Sequence, residues 1–380
     1  MPASTFAEDT AFLGRYTSLI ELSAGPAARV AVAPTYQGRV MTSTLAGPRG
    51  SSFGWLNTRF ITSGTHDVQF NNFGGEDRFW LGPESGQFGL FHAKGEPFDV
   101  AHWKTPPGFN TGPFEVARQT KDAVTLRRRM DVTNYAGTTF CCEVKRTVSM
   151  LSKTRAGRLL AASIPAAVKM VAFESHNTLT NVGPKAWTRA GGLVSIWILG
   201  QFKPLPHGKV IVPFKPGDER TCGPKATTNY FGPIPASRCR LADDHLLLTC
   251  DGQYRSKIGV APARARSVLG SFDPDGGVLT VAQFNLPRGA AGLPYVNSLW
   301  QMQDRPFGGD VVNSYNDGSA APGAGQLGPF YELETSSPAA QLPKGKAITH
   351  SHRTFHFTGP LKALRALAQK VLGADLDKTG

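Results

Sequence analysis

Charged residues are few in this sequence, and no long apolar run is present. Only 18% of the 380 residues are charged, and basic ones exceed acidic ones to give a formal net charge of +13. The most apolar stretch, residues 159–173, contains Pro165 and Lys169, so we expect no membrane span. Residues 1–22 have no basic segment followed by an apolar one. The sequence as given predicts a cytoplasmic protein, or a periplasmic or secreted one if a leader was removed.

Cysteine is also scarce. The five cysteines are odd in number and form no C-x-x-C pair. This argues against a disulfide framework and predicts reduced thiols within a large core. Hydrophobic residues make up 41% of the chain, which is enough to form such a core and excludes global disorder.

The positive charge is scattered rather than concentrated. Its densest cluster, Arg127, Arg128 and Arg129, would point to alternating faces of a strand. Aromatic residues do not alternate with basic ones as they do in RNA-binding modules. We therefore expect no nucleic-acid partner, and the charge fits attraction to anionic glycans better.

Motifs of nucleotide and metal chemistry are absent from the sequence. No G-x-S-x-G, phosphate-binding loop or dinucleotide fingerprint occurs. His350, His352 and His356 share one strand parity, but no neighbouring Cys, Asp or Glu completes a zinc pattern. We expect neither a cofactor nor a bound metal.

The residue pattern predicts an all-β fold. The chain contains 42 Gly and 28 Pro, and apolar residues alternate with polar ones over residues 140–150. Helical spacing is confined to short segments near residues 5–20 and 360–373. We expect mainly antiparallel sheets packed as a sandwich, in one domain over residues 1–380. Further strands are predicted at residues 29–33, 68–73, 123–132, 193–199, 209–213, 245–250, 277–284, 329–334 and 347–357.

Two segments concentrate polar and aromatic residues of the kinds that bind sugars. Residues 74–86 place carboxylates, an arginine and a tryptophan between glycines, and residues 297–318 are rich in amides. Polar groups can bind vicinal hydroxyls while an indole covers the apolar face of the ring. The alternative is structural: a tight turn with an Arg–Glu pair in the first segment, and Asn and Asp turns in the second.

A third segment carries two carboxyl groups. Glu332 and Glu334 share one strand face and lie about 7 Å apart by strand rise. A carboxyl group on a mostly apolar strand can have its pKa raised toward neutrality and can serve as acid or base.

The end of this segment resembles the C-terminal signature of aldose 1-epimerases, the galactose mutarotases. The shared pattern is Leu333-Glu334, then Ser337-Pro338, then Leu342-Pro343-x-Gly345, then a strand ending in Phe355-His356-Phe357. Residues 32–40 and 177–183 are similar to two earlier strands of that superfamily. Over its whole length the chain most resembles an uncharacterised bacterial family within it. The resemblance implies a galactose mutarotase-like β-supersandwich.

The resemblance also implies a role for Glu334. In aldose 1-epimerases the matching glutamate is the general base that takes the proton of the anomeric hydroxyl. Residues 192–199 lack the histidine that serves those enzymes as general acid. His176 or a C-terminal histidine is the candidate replacement.

We therefore expect a carbohydrate-active protein that binds a mono- or oligosaccharide, neutral or anionic, on a concave sheet face. The reaction stays open between epimerisation, glycoside hydrolysis and lyase-type β-elimination, and the oligomeric state stays open too. The alternative is a non-catalytic carbohydrate-binding protein. The candidate catalytic residues are Glu334, Glu332 and His176, and the candidate substrate-binding residues are Glu76, Arg78, Trp80, Glu84, Trp197, Asp251, Arg255, Lys257, Asn313, Asn316, Asp317 and His352.

Overall fold

The computed structural model describes residues 4–319 and 324–376. Strands make up most of its regular structure. In chain order they are β1 (Ile20–Ala24), β2 (Ala28–Ala33), β3 (Arg39–Thr44), β4 (Arg78–Gly82), β5 (Glu115–Gln119), β6 (Ala123–Thr133), β7 (Thr139–Met150), β8 (Lys169–Asn181), β9 (Ser195–Phe202), β10 (Lys209–Pro213), β11 (Cys239–Leu241), β12 (His245–Thr249), β13 (Ser256–Val260), β14 (Val268–Asp273), β15 (Val278–Phe284), β16 (Val312–Asn316), β17 (Tyr331–Ser336) and β18 (Ala347–Thr358).

The strands form three antiparallel sheets, which confirms the predicted all-β class. A ten-stranded sheet has the order β11-β12-β10-β14-β15-β18-β8-β7-β6-β5. A five-stranded sheet has the order β13-β16-β17-β9-β4, and β1, β2 and β3 form a small third sheet. That residues 1–380 form one domain stays a prediction.

The helices are short. They are α1 (Phe6–Leu13), α2 (Thr58–Ser63), α3 (Pro107–Asn110), α4 (Lys153–Leu160), α5 (Glu219–Cys222) and α6 (Leu361–Leu372). A capping box of Thr5 and Glu8 opens α1, which ends at Leu13, so this helix is shorter than the segment predicted near residues 5–20. Within the described ranges, no helix has the length and apolar character needed to cross a bilayer.

Two large core clusters join the ten-stranded and five-stranded sheets, and another packs α4 and α6 against the ten-stranded sheet. The side chains of strand β17 alternate between the two faces of the smaller sheet. Tyr331 and Thr335 face the larger sheet, and the Tyr331 hydroxyl contacts Ser271 Oγ at 2.7 Å. Thr335 Oγ1 contacts His350 Nε2 at 2.8 Å and His352 Nδ1 at 2.9 Å. Because side chains alternate along a strand, Glu332 and Glu334 point to the opposite face of the smaller sheet.

Most predicted strands are present, but the strand predicted at residues 68–73 is wrong. These residues form a loop, and Asn71 bonds to Asn110 instead of to a neighbouring strand. Its backbone N–H donates to Asn110 Oδ1 at 2.7 Å, and its Nδ2 donates to the Asn110 carbonyl at 2.9 Å. The Asn71 side chain also accepts from the nearby Asp67 N–H at 2.8 Å, and such local bonds to backbone compete with strand pairing.

Candidate functional site

The outward face of the five-stranded sheet forms the floor of a cavity. Strand register places Leu199 beside both Arg78 and Glu334, and Gln201 beside Glu332. Residues opposite each other in antiparallel strands point to the same face. The floor residues are Arg78 and Trp80 from β4, Trp197, Leu199 and Gln201 from β9, Glu332 from β17, Tyr315 from β16 and Lys257 from β13.

Connecting segments supply the walls of this cavity, which we call the aromatic cavity. Its volume is about 260 Å³, slightly below the range of about 300–1,000 Å³ typical of small-molecule sites. A small molecule fits this volume better than a long chain. The wall residues are Phe70, Glu84, Val100, Trp103, Phe231, Arg255, Trp300, Asp317, Gly318, Gly325, Gln326, Leu327 and Phe330.

Arg78 and Glu332 contact each other in the buried floor of the cavity. Arg78 Nη2 lies 2.9 Å from Glu332 Oε1, and the guanidinium carbon lies 4.1 Å from the centre of the Trp80 ring. Burial raises the pKa of Glu332 to about 8, with a further contribution from Glu334, while Arg78 acts in the opposite direction. Glu332 is therefore a carboxyl group that can hold a proton near neutral pH.

Glu334 lies behind the cavity lining, in contact with the lining residues Trp197 and Lys257. Its Oε2 accepts a hydrogen bond from Trp197 Nε1 at 2.9 Å and lies 3.1 Å from Lys257 Nζ. Its side chain is fully buried, and Glu334 itself does not line the aromatic cavity. Burial lowers the pKa of Lys257, but Glu334, Glu84 and Glu332 together raise it above its usual value. The ammonium form of Lys257 is thus held against Glu334.

Glu84 is a third carboxyl group at the site, and no ion pair involves it in the part of the chain that the structure describes. Trp103 Nε1 donates to Glu84 Oε1 at 2.9 Å. Burial raises the pKa of Glu84, and Lys257 partly opposes this. Glu84 is therefore a third acidic group at the site, and its carboxyl accepts hydrogen bonds from the indoles of Trp103 and Trp300.

Several buried polar atoms around the aromatic cavity have no hydrogen-bond partner among residues 4–319 and 324–376. Both amide atoms of Gln201 belong to this set, although the residue is fully buried. Burying a polar group without a partner is costly, so such groups point to a ligand that supplies one. The others are Arg78 Nε and Nη1, Trp80 Nε1 and Glu334 Oε1.

The aromatic cavity brings together most of the predicted site residues. Arg78, Trp80, Glu84, Trp197, Arg255, Lys257, Asp317 and Glu332 all line it. Asn313 instead lines a neighbouring void of about 10 Å³, where its Nδ2 donates to the Tyr230 hydroxyl at 3.1 Å. Asn316 and Asp251 lie in a turn network in which Asn316 Oδ1 accepts from the Gly252 N–H at 2.9 Å.

Three predicted residues lie elsewhere in the fold. His176 is exposed on β8, and its Nδ1 contacts Ser351 Oγ at 2.8 Å. Glu76 and His352 are buried away from the aromatic cavity, with Glu76 Oε2 accepting from Ser43 Oγ at 2.9 Å and contacting His356 Nε2 at 2.9 Å. No role in binding is visible for these side chains, and their predicted roles remain untested. No group of His, Cys, Asp and Glu suited to a metal ion occurs in the described ranges.

Some cavity residues were not predicted from the sequence. Gln201 continues the parity of Trp197 and Leu199, so extending the strand predicted at residues 193–199 by two residues would have found it. Trp300 lies in the amide-rich segment that was singled out. Trp103 and Phe231 come from irregular connections, where no periodicity marks them.

The fold class follows from comparison with a solved structure. The structure is similar to a candidate aldose 1-epimerase from Escherichia coli K12, with a TM-score of 0.53 and 10% sequence identity over 90% of this chain and 100% of that one. A galactose mutarotase-like protein from Lactobacillus casei ATCC 334 has a TM-score of 0.49 and 12% identity over 89% of this chain and 100% of that one. The first of these shows the galactose mutarotase-like fold and confirms the fold that the sequence resemblance implied.

The family is defined by sequence. Residues 4–380 match a family model described as "Family of unknown function (DUF6786)", and the chain belongs to that family. No curated protein matches the sequence.

Proposed function

We propose that this protein is carbohydrate-active and binds a sugar in the aromatic cavity, with Glu334 as the base of a proton-transfer reaction. The observation that supports this most is the combination of indole rings with unpaired hydrogen-bonding groups on the sheet face that carries Glu332 and Glu334.

The aromatic residues suit the apolar faces of a sugar ring. Trp80, Trp103, Trp197 and Trp300 line the cavity, which accounts for four of the six tryptophans in the chain. The C–H groups of a pyranose pack against indole faces, which bury a large area. A cavity with this lining binds a flat, partly apolar molecule better than a fully solvated ion.

The unpaired polar groups suit the hydroxyls of the same ligand. A sugar hydroxyl both donates and accepts, and so does the Gln201 amide, whose two atoms are free. The ring then lies against the tryptophans while its hydroxyls pair with the floor of the cavity.

The carboxyl groups supply the chemistry. Glu334 is paired with two donors, Lys257 Nζ and Trp197 Nε1, which suits a carboxylate acting as base. Glu332 holds a proton near neutral pH and lines the cavity, so it is the candidate acid in place of the absent histidine. Together they can take a proton from one sugar oxygen or carbon and return one to another atom.

A second candidate function is sugar binding without turnover. It is favoured by the position of Glu334, whose carboxylate is covered by Lys257 and Trp197 and does not line the aromatic cavity. In this case the ion pair stabilises the floor of the site, and Glu334 has no proton to transfer.

The two functions are separated by assaying neutral sugars, uronic acids and their oligomers with wild type and the Glu334→Gln variant. Optical rotation reports epimerisation, new reducing ends report hydrolysis, and ultraviolet absorbance of an unsaturated product reports elimination. The catalytic proposal expects a loss of turnover of about 100-fold or more in Glu334→Gln. The matched control is Glu143→Gln, which removes a carboxylate from the surface pair with Arg129. Ligand binding with no turnover in wild type would favour the second function.

A further inference from the structure

The three basic side chains of the aromatic cavity differ in their partners. Arg78 is paired with Glu332, and Lys257 is paired with Glu334. Arg255 also lines the cavity, and within residues 4–319 and 324–376 its side chain forms no ion pair and no hydrogen bond, although its charge lowers the pKa of Asp317. Its positive charge is therefore the one on the cavity wall that lacks a contacting carboxylate in that part of the chain.

Stacking fixes the Arg255 guanidinium and leaves its N–H groups free. The guanidinium carbon lies 3.7 Å from the centre of the Phe231 ring and 5.8 Å from that of Trp300. An arginine stacked on a ring presents its donors at the edge of the guanidinium plane, in a geometry that matches carboxylate and phosphate. The half-buried position of Arg255 makes such a contact stronger than at the open surface.

Asp317, an acidic residue of the cavity wall, forms no ion pair with Arg255 in the described ranges. Asp317 accepts hydrogen bonds from the Tyr315 hydroxyl at 2.5 Å and from the Gly328 N–H at 2.8 Å. Burial raises the pKa of Asp317, and the charge of Arg255 lowers it in part, although no ion pair joins the two side chains among the residues that the structure describes.

The unpaired groups around the cavity also contain more donors than acceptors. Arg78 and Trp80 contribute donors alone, and the Gln201 amide contributes one donor and one acceptor. Glu334 Oε1 is a further acceptor. A carboxylate or phosphate accepts hydrogen bonds and does not donate them. The unpaired donors can therefore bind the oxygens of an anionic group.

From these observations we infer that the ligand of the aromatic cavity is an acidic sugar, and that Arg255 binds its carboxylate or phosphate group. This inference rests on the proposed sugar-binding function and adds the class of sugar. The anionic group pairs with the Arg255 guanidinium, while the ring packs on the tryptophans and its hydroxyls reach Gln201.

The test compares each neutral sugar with its acidic counterparts by calorimetric titration. Galactose, galacturonate and galactose 6-phosphate form one series, and the matching glucose compounds form another. We expect one of the acids to bind about tenfold or more tighter than its neutral parent, and the tighter acid identifies the group as carboxylate or phosphate. In Arg255→Gln the affinity for that acid should fall to the level of the neutral sugar, while the affinity for the neutral sugar changes less than about twofold.

The matched control is Arg189→Gln. Arg189 also stacks on a phenylalanine, with its guanidinium carbon 5.2 Å from the Phe307 ring centre, but it is exposed and does not line the cavity. The same charge change there should leave the preference for the acid intact. Equal affinity for acidic and neutral sugars, or a preference that survives in Arg255→Gln, would overturn the inference while leaving sugar binding in place. Absence of binding by every compound would overturn the proposed function itself.

Discussion

At the scale of single residues, Glu332 links the site to the pH dependence of stability. Burial raises its pKa from the usual 4.5 to about 8, so between these values the folded protein holds a proton that the unfolded chain has released. The stabilising contribution is complete below pH 4.5 and is lost as the pH rises through 8. We predict that the free energy of unfolding of wild type, relative to Glu332→Gln, falls by up to about 1.4 kcal/mol per pH unit across this window. Urea unfolding at a series of pH values measures this difference in free energy. The same pH dependence of the free energy of unfolding in both proteins would contradict the prediction.

Gln201 gives a second prediction at this scale. Its amide is buried without partners, which costs about 1–3 kcal/mol for an unsatisfied group. Gln201→Leu should therefore raise the free energy of unfolding of the ligand-free protein while weakening sugar binding. Chemical denaturation checks the first effect. A clearly destabilised variant would show that the amide has partners in solution.

At the scale of elements, hydrogen bonds between one threonine of β17 and two histidines of β18 join these two strands. Thr335 Oγ1 lies 2.8 Å from His350 Nε2 and 2.9 Å from His352 Nδ1, so the hydroxyl donates to one imidazole and accepts from the other. Burial lowers the pKa of His350 to about 3 and that of His352 to about 4. Both imidazoles are therefore neutral in the folded protein across the physiological range.

This neutral pair predicts how the protein responds to acid. The unfolded histidines take up protons near their usual pKa of 6.5, whereas the folded ones do not. The stabilising contribution is present above pH 6.5 and is lost as the pH falls toward 4. We predict that His352→Gln loses less stability than wild type over this interval, by up to about 1.4 kcal/mol per pH unit. Identical acid dependence in thermal unfolding of the two proteins would be evidence against it.

The elements also show what the sequence could and could not predict. Strands β7, β9, β17 and β18 were predicted because they alternate or form clear apolar runs. The strands β4, β13 and β16 were missed because every residue in them is buried and short buried strands lack alternation. These are three of the five strands of the cavity floor. Composition still pointed to Arg78 and Trp80, whereas the walls depend on long-range packing that no local pattern encodes.

At the scale of the whole molecule, a buried ion pair joins the two large sheets. Arg146 of β7 pairs with Asp77, the residue before β4, and its Nη1 donates to Asn177 Oδ1 at 2.8 Å. Ser175 Oγ donates to Asp77 Oδ2 at 2.6 Å. Both charged side chains are fully buried, so removal of one charge leaves the other uncompensated.

We predict that Asp77→Asn lowers the free energy of unfolding by about 3–5 kcal/mol. Glu143→Gln, which removes the surface partner of Arg129, should change it by less than about 1 kcal/mol. Chemical denaturation of both variants provides the comparison. Equally small effects would mean that the pair contributes little to the association of the sheets.

The central claim, that the aromatic cavity binds a sugar, is tested most directly by tryptophan fluorescence. Four of the six tryptophans line the cavity, so a bound ring changes the emission of most of them. We predict a saturable change when wild type is titrated with neutral and acidic sugars, and an affinity about tenfold or more weaker in Gln201→Leu, a variant expected to remain folded. No response to any sugar, or an unchanged affinity in Gln201→Leu, would contradict this account of the site.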